Sequence, residues 1–161
     1  MRYLPSNRWQ IMLYAMDSEI LRRLQQNARE SWAAIGQALG VTGPAIAERV
    51  KKLEERGLIR AYRAVINPDA AGYSLLAFVA VTVERPDQRG VFLEKVQSLP
   101  EVQECHHIAG DYDYLLKIRC RGTADLERVI SDELKSFDGI VRTRTTIAMK
   151  TVKETWTLPI A

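Results

Sequence analysis

A chain of 161 residues with 47% apolar and 27% charged side chains has the composition of a soluble globular protein with one moderate core or two small ones. Two cysteines, Cys105 and Cys120, are too few for a secreted disulfide scaffold, and no stretch approaches the roughly 18 consecutive apolar residues of a membrane span. The N-terminus lacks the apolar run and small-residue cleavage site of a signal peptide, so the cytoplasm is the expected compartment and no membrane partner is expected. The formal charge of +3 is uneven: residues 1–68 carry eleven Lys/Arg against six Asp/Glu, and residues 69–161 carry twelve against fourteen. A basic first part suits phosphates, and a slightly acidic second part suits some other partner.

Residues 1–12, MRYLPSNRWQIM, form an N-terminal arm of mixed character, either loosely held or packed on a neighbour through Trp9, Ile11 and Met12. Asp17 is expected to cap a first helix built on Ile20, Leu21 and Leu24, with Arg22 and Arg23 outward. Residues 31–57, SWAAIGQALGVTGPAIAERVKKLEERG, read as two further helices joined by a tight turn. Ser31 caps the first of these, Ala34, Ile35, Ala38 and Leu39 form its apolar face, and Gly40 ends it in the left-handed conformation. Thr42 caps the next, Pro44 sits in its first turn where no intrahelical N–H bond is lost, and Ile46, Val50 and Leu53 form its buried stripe. Gly57 stops it. Small residues at the turn (Gly40, Gly43, Ala45) allow the steep crossing of a helix-turn-helix.

The opposite face of that last helix presents Glu48, Arg49, Lys51 and Lys52. Such a face is either simply solvated or fitted to the DNA major groove, where a helix reads base edges with its first turn. A glycine turn, a capped basic helix and a terminal glycine in succession favour the groove. Residues 58–66, LIRAYRAVI, are β-branched and aromatic enough for a strand. Directly after a recognition helix this strand reads as a wing, with Arg60 and Arg63 either exposed edge charges or contacts to backbone phosphate. Asn67-Pro68-Asp69 breaks the strand and Gly72 completes a hinge.

Beyond the hinge the period changes to two. Residues 74–84, SLLAFVAVTVE, are apolar on both faces, as in a covered central strand. Residues 86–99 read as a helix with Val91, Phe92, Val96 and Leu99 inward. Two strands, 102–109 and 114–120, flank the turn Gly110-Asp111-Tyr112-Asp113. A second helix over 123–137 uses Leu126, Val129, Ile130, Leu134 and Phe137, and a last strand over 140–152 places Val141, Thr143, Thr145, Ile147 and Met149 on one side. The order β-α-β-β-α-β predicts a ferredoxin-like plait, and the chain as a whole falls in the α+β class. Two helices cover one face of such a sheet, so a second copy is the natural cover for the other and a homodimer is expected. The expected divisions are an arm (1–12), a winged helix-turn-helix (13–66), a hinge (67–73), a plait for sensing and oligomerisation (74–152) and a C-terminal tail (153–161).

No catalytic constellation is present. His106 and His107 are adjacent and point to opposite faces of a strand. Cys105 with His107 offers only two ligands, short of a zinc site. Gly36, Gly40 and Gly43 lack the strand–loop–helix context of a phosphate loop. Asp111 and Asp113 read as turn chemistry before they read as an acid–base dyad. No enzyme activity, catalytic residue, metal or cofactor is expected. A ligand site has more support: the turn from Gly110 offers backbone N–H groups to a carboxylate and Asp113 to an amine, the two ends of a small zwitterion, against the plain alternative of a hairpin turn.

Residues 13–57 followed by IRAYRAVINP resemble the N-terminal half of the leucine-responsive and asparagine-regulatory (Lrp/AsnC) family of bacterial and archaeal transcription regulators. The run VQECHHIAGDYDYLLKIRC is similar to the ligand-sensing half of that family, more closely to its leucine-responsive branch. The likeness runs from residue 13 to about 158, with both motifs in the expected order. It implies a winged helix-turn-helix joined to a βαββαβ sensing domain. It also implies dimers made through the sensing domains, higher homo-oligomers such as octamers, and an amino-acid effector bound between dimers near a Gly-x-x-Asp loop. By that likeness Gly110, Asp111, Tyr112 and Asp113 form the sensing loop, His106 to Ile108 lead into it, and Thr143 and Thr145 lie nearby on the last strand. The matching DNA-reading positions are Thr42, Gly43, Pro44, Ala45, Glu48, Arg49 and Lys52.

Tyr14 stands where the family usually has an acidic residue, which leaves the first cap to Asp17. Thr42-Gly43-Pro44 replaces the frequent Ser-Pro-Thr, so no operator is carried over from relatives. Nor is an effector, since members sense different amino acids and some sense none. In the site expected here, Thr145 helps the backbone of the turn hold the effector carboxylate. The expected function is a sequence-specific regulator of transcription on double-stranded DNA, its oligomeric state and DNA binding modulated by a small amino acid. The competing expectation is a nucleoid-organising architectural protein with no ligand; an enzyme or storage module on the plait comes last.

Overall fold

Ser31 and Thr42 illustrate how local chemistry sets the first elements. In the computed structural model, which describes residues 14–160, the chain begins with α1 (Ala15–Gln26), α2 (Trp32–Leu39) and α3 (Gly43–Glu55). The Ser31 hydroxyl accepts the Ala34 N–H at 3.2 Å and the Thr42 hydroxyl accepts the Ala45 N–H at 3.4 Å, each satisfying a donor the helix leaves open. Gly40 closes α2 at φ +71°, a conformation costly for any residue with a Cβ. The expected arm, residues 1–12, lies outside the described residues.

The core of this first unit is Ile20, Ile35, Ile46, Val50 and Leu53, with Leu21 and Leu24 at its edge. Each fully buried aliphatic side chain contributes about 1.5–3 kcal/mol relative to exposure. Two glycines control how closely α2 and α3 approach. A Cβ on Gly36 would lie 2.7 Å from the Val41 carbonyl oxygen, and one on Gly43 would lie 3.3 Å from the Ala33 nitrogen. Ala34 and Ala38, expected on the buried face, are exposed, and Gly36 is buried in their place. Asp17 does not cap α1: it sits inside the helix and is buried, while Tyr14 occupies the N-cap without a side-chain bond. The unit also takes in 155–160, expected only as a tail. Gln25 exchanges two hydrogen bonds with the Leu158 backbone, at 3.3 and 2.6 Å, and Ile160 packs on the core.

Residues 58–66, expected as a wing strand, form no ladder: among the described residues no strand pairs with them. A strand exists through its partner's hydrogen bonds, which side-chain composition does not supply. The start of the segment is instead tied back to α3, where the Leu58 and Ile59 N–H groups both reach the Leu53 carbonyl, at 2.9 and 3.2 Å. Tyr62 donates its hydroxyl to Glu54 at 2.8 Å. Burial, followed by that carboxylate, pushes the phenol up to about 12. The hinge forms as a turn in which Asn67 Oδ1 accepts from Asp69 and Ala70 and Gly72 adopts φ +82°.

The second unit spans residues 66–154. Its strands are β1 (Leu75–Val83), β2 (Val102–His107), β3 (Tyr114–Cys120) and β4 (Ile140–Ile147), in the order β2-β3-β1-β4 with every pair antiparallel. That order is the ferredoxin-like plait. Ala77, Val79, Val81 and Val83 alternate toward the helical side, where they meet Tyr114, Leu116, Ile118 and Cys120 of β3. Over them lie a short 3-10 turn (Pro86–Gln88), α4 (Arg89–Ser98) and α5 (Thr123–Arg128), the last running on into a π-helical segment (Val129–Leu134). The helix expected over 123–137 is therefore not uniform; the wider turn keeps Val129 and Leu134, five apart, both buried beside Leu126. Phe92, Val96 and Leu99 face the core as expected, but Val91 is exposed.

The last strand ends at Ile147 rather than 152, and Val141, Ile147 and Met149 are exposed. On the face without helices, Leu76, Phe78 and Ala80 of β1 run beside Leu115 of β3. Lys117 and Arg119 on that face are both paired with Glu154, the latter at 3.0 Å. Burial opposes the charge of Lys117, but its bonds to Glu154 and Glu104 outweigh this and raise its pKa. Among the described residues no helix is long and apolar enough to cross a membrane.

Candidate DNA-reading helix and effector loop

The cap at Thr42 leaves the first turn of α3 at the protein surface: Thr42 and Pro44 are exposed, and Gly43 and Ala45 are half-buried. One turn on, Glu48 and Lys52 form an exposed i,i+4 pair at 2.8 Å. The hydrogen bond from Lys52 holds the Glu48 carboxyl below the usual carboxylate range. Lys51 and Arg56 add exposed positive charge to the same helix end.

Arg49 behaves differently from its neighbours. Its Nη1 lies 3.1 Å from Oδ1 of Asp17, whose side chain is only 6% exposed. The acid that does not cap α1 therefore ties α1 to α3, and Arg49 turns partly away from the outward face on which the sequence puts it. Asp17 is the residue that sequence reading assigned to the wrong task. The one signal for a buried acid was its position three residues before Ile20, on the apolar side of α1. Arg60 and Arg63 are exposed on the extended segment after α3.

In the second unit the Gly110–Asp113 turn joins β2 to β3, with Gly110 at φ +152°. The backbone pins its far end: the Ile108 N–H donates to the Asp113 carbonyl at 2.9 Å, and the Asp113 N–H donates to the Val81 carbonyl at 3.0 Å. Asp113 Oδ2 accepts the Val83 N–H at 2.9 Å, which binds the carboxylate to the end of β1. From β4, Arg142 donates Nη2 to the Asp111 carbonyl at 2.7 Å and lays its guanidinium 4.3 Å over the Tyr112 ring. Arg89 at the start of α4 brings Nη2 to 4.0 Å from Asp113 Oδ1.

Of the expected effector residues, the fold thus gathers Ile108 and Gly110 to Asp113. Thr143 pairs with Val81, on the rung where Asp113 bonds, and Thr145 lies one side-chain repeat farther, opposite Val79. His106 stands apart: it faces the helix-free side of the sheet, with Nε2 3.0 Å from Glu104. That hydrogen bond, with Lys117, holds the Glu104 carboxyl below its usual range. Sequence reading missed Arg89 and Arg142, which approach the loop from elements 24 residues before and 29 after Asp113, with no local motif to mark them.

The pattern defining the AsnC-type helix-turn-helix domain matches residues 15–54, and that of the Lrp/AsnC ligand binding domain matches residues 76–158. The leucine-responsive regulatory protein of Haemophilus influenzae is 39% identical over 145 residues, covering 89% of this chain and 87% of that protein. Among solved structures, a Neisseria meningitidis transcriptional regulator in complex with L-methionine superposes with a TM-score of 0.87 at 29% identity, covering 91% of this chain and 96% of that one. A feast or famine regulatory protein of Mycobacterium tuberculosis, also complexed with L-methionine, gives 0.83 at 30% identity over 91% and 97%. A ligand-binding domain carried beside the helix-turn-helix favours a ligand-modulated regulator over a ligand-free architectural protein. With both domain patterns met in order and relatives similar along nearly its whole length, the chain belongs to the Lrp/AsnC family of transcription regulators.

Proposed function

We propose that this regulator reads double-stranded DNA with the first turn and outer face of α3 and responds to an α-amino acid held at the 110–113 turn. Thr42, Gly43, Pro44, Ala45, Glu48 and Lys52 meet the major groove, Arg49 meets it while braced by Asp17, and Arg60 and Arg63 lie on backbone phosphate. In the effector site Asp113 receives the ammonium group, with Gly110, Asp111, Tyr112, Ile108, Thr143 and Thr145 around it and His106 at its margin. The helix-free sheet face, with Phe78 36% exposed beside Leu76 and Leu115, supports a homodimer through this unit and a higher homo-oligomer built from it. A bound amino acid favours one oligomeric arrangement and so sets the spacing of recognition helices along the duplex. The cytoplasm is where such a protein meets its operators.

The observation that carries this reading is the Gly110–Asp113 turn, where Oδ1 of Asp113 has no hydrogen-bond partner among the described residues and faces Arg89 Nη2 at 4.0 Å. It lies in the same chain as a capped helix with an exposed first turn. The test is selection of bound DNA sequences, repeated with each of the common amino acids and followed by calorimetry on the full chain. Discrete operators should emerge, and at least one amino acid should shift both DNA affinity and the mass seen by light scattering. Arg49→Ala should weaken operator binding by about 1–3 kcal/mol, whereas Arg63→Ala should lower affinity for all sequences and reduce the salt slope by about one. Continuous coating of DNA with no effect of any amino acid would return the protein to an architectural role.

A further inference from the structure

We propose that Arg89 receives the carboxylate of the amino-acid effector, so that Arg89 and Asp113 together bracket the two charges of the ligand's backbone; this rests on the amino-acid-sensing reading of the 110–113 turn. Asp113 uses only one oxygen firmly: Oδ2 accepts the Val83 N–H at 2.9 Å. Oδ1 faces Nη2 of Arg89 at 4.0 Å, beyond hydrogen-bond length. The Nε of Arg89 is buried and has no acceptor among the described residues. Buried donors without partners are rare in folded proteins and call for an explanation. An unimpeded guanidinium and carboxylate close to about 2.7–2.9 Å and commonly engage through two parallel bonds. Here a fork of donors and a carboxylate oxygen stand near each other, each with bonding capacity left over.

An α-amino acid carries the complementary pair on adjacent carbons. Its ammonium donates to Asp113 Oδ1, and its carboxylate accepts from the Nη end of the Arg89 guanidinium, a planar group suited to recognising carboxylates. Both protein groups are open to an entering molecule, with side-chain exposures of 42% for Arg89 and 27% for Asp113. Reception of the carboxylate by the Gly110 backbone, the alternative drawn from sequence, leaves Nη2 of Arg89 standing 4.0 Å from Asp113 without a hydrogen-bonded acceptor among the described residues. Because every amino acid has the same backbone charges, the bracket confers a preference for the zwitterion and leaves the choice of side chain to other residues.

The experiment is calorimetry on the full chain. The twenty L-amino acids are titrated first, and the tightest is then compared with its α-amide, for instance L-leucine with L-leucinamide, in the wild type, Arg89→Gln and Arg89→Lys. Wild type should prefer the acid over the amide by at least about tenfold, a difference of about 1.4 kcal/mol. Arg89→Gln should lose that preference and bind the acid as weakly as the amide, Arg89→Lys should fall between, and thermal unfolding should be unchanged in both. Two results overturn the proposal while leaving amino-acid sensing intact: Arg89→Gln keeping the wild-type preference, or weakening acid and amide by the same factor. If no amino acid binds the wild type, sensing itself fails and the bracket with it.

Discussion

In the first unit most of the residues proposed to meet DNA follow one another along α3, with Arg60 and Arg63 on the segment after it, whereas the groups around the 110–113 turn come from three other elements. Thr42 to Lys52 are placed by one cap and one helical repeat. The 110–113 turn is held instead by Val81 and Val83 of β1, Arg89 of α4, and Arg142 of β4. The consequence is a difference in how each site fails. A recognition helix tolerates changes on its outer face and is vulnerable where it packs. A loop assembled from distant strands is vulnerable at each of its ties, because none can form until the sheet has formed.

The largest expected effect probes whether the two cores are separate. Ile46→Ala removes a fully buried side chain from the first unit and should cost about 2–5 kcal/mol. Amide exchange should show protection lost across α1–α3 while β1 and β3 keep theirs; equal loss in both would mean one cooperative core rather than two.

A smaller change sharpens the claim that α3 is set by its packing. Gly36→Ala raises helix propensity by roughly 1 kcal/mol but drives a Cβ toward backbone that has nowhere to yield. With 2.7 Å to the Val41 carbonyl oxygen, the clash should win, for a net loss of about 1–3 kcal/mol in urea unfolding. A variant more stable than the wild type would show that α2 and α3 can separate freely.

The tie between Asp17 and Arg49 should be measurable by a double-mutant cycle using Asp17→Asn and Arg49→Gln. Asp17 is buried but Arg49 is 41% exposed, so solvent screening should limit the coupling to about 1 kcal/mol. Zero coupling would leave Arg49 free to act on DNA alone.

The smallest effect lies in the second unit and depends on pH. Side-chain and backbone hydrogen bonds from Arg121 hold Asp125 down to about 2 from 3.8. A carboxylate depressed by folding stabilises the folded state fully above its unfolded pKa, and that contribution is lost as pH falls from 3.8 through about 2. After solvent screening it should amount to about 1 kcal/mol. Asp125→Asn should therefore flatten this part of the acid limb of unfolding while leaving α1–α3 unaffected; an unchanged acid limb would assign acid sensitivity to other groups.

How much was readable in advance follows the same division. Ser31, Gly40 and Thr42 mark the helix-turn-helix because a cap or a left-handed stop is decided by bonds among residues a few positions apart. The period of two in Ala77, Val79, Val81 and Val83 likewise declared a strand and its buried side, and the alternation of elements declared the plait. Residues 58–66 have strand composition and no ladder, since a ladder is a property of two segments and only one was in view. Asp17 looked like a cap until α3 brought Arg49 across 32 residues to claim its carboxylate. Asp113 is a similar case: the role toward a zwitterion proposed for it rests on a four-residue turn. Arg89 reached the Asp113 carboxylate, and Arg142 the Asp111 carbonyl, only when α4 and β4 closed around the turn, because such contacts are set by distance in space and local sequence carries no record of that distance.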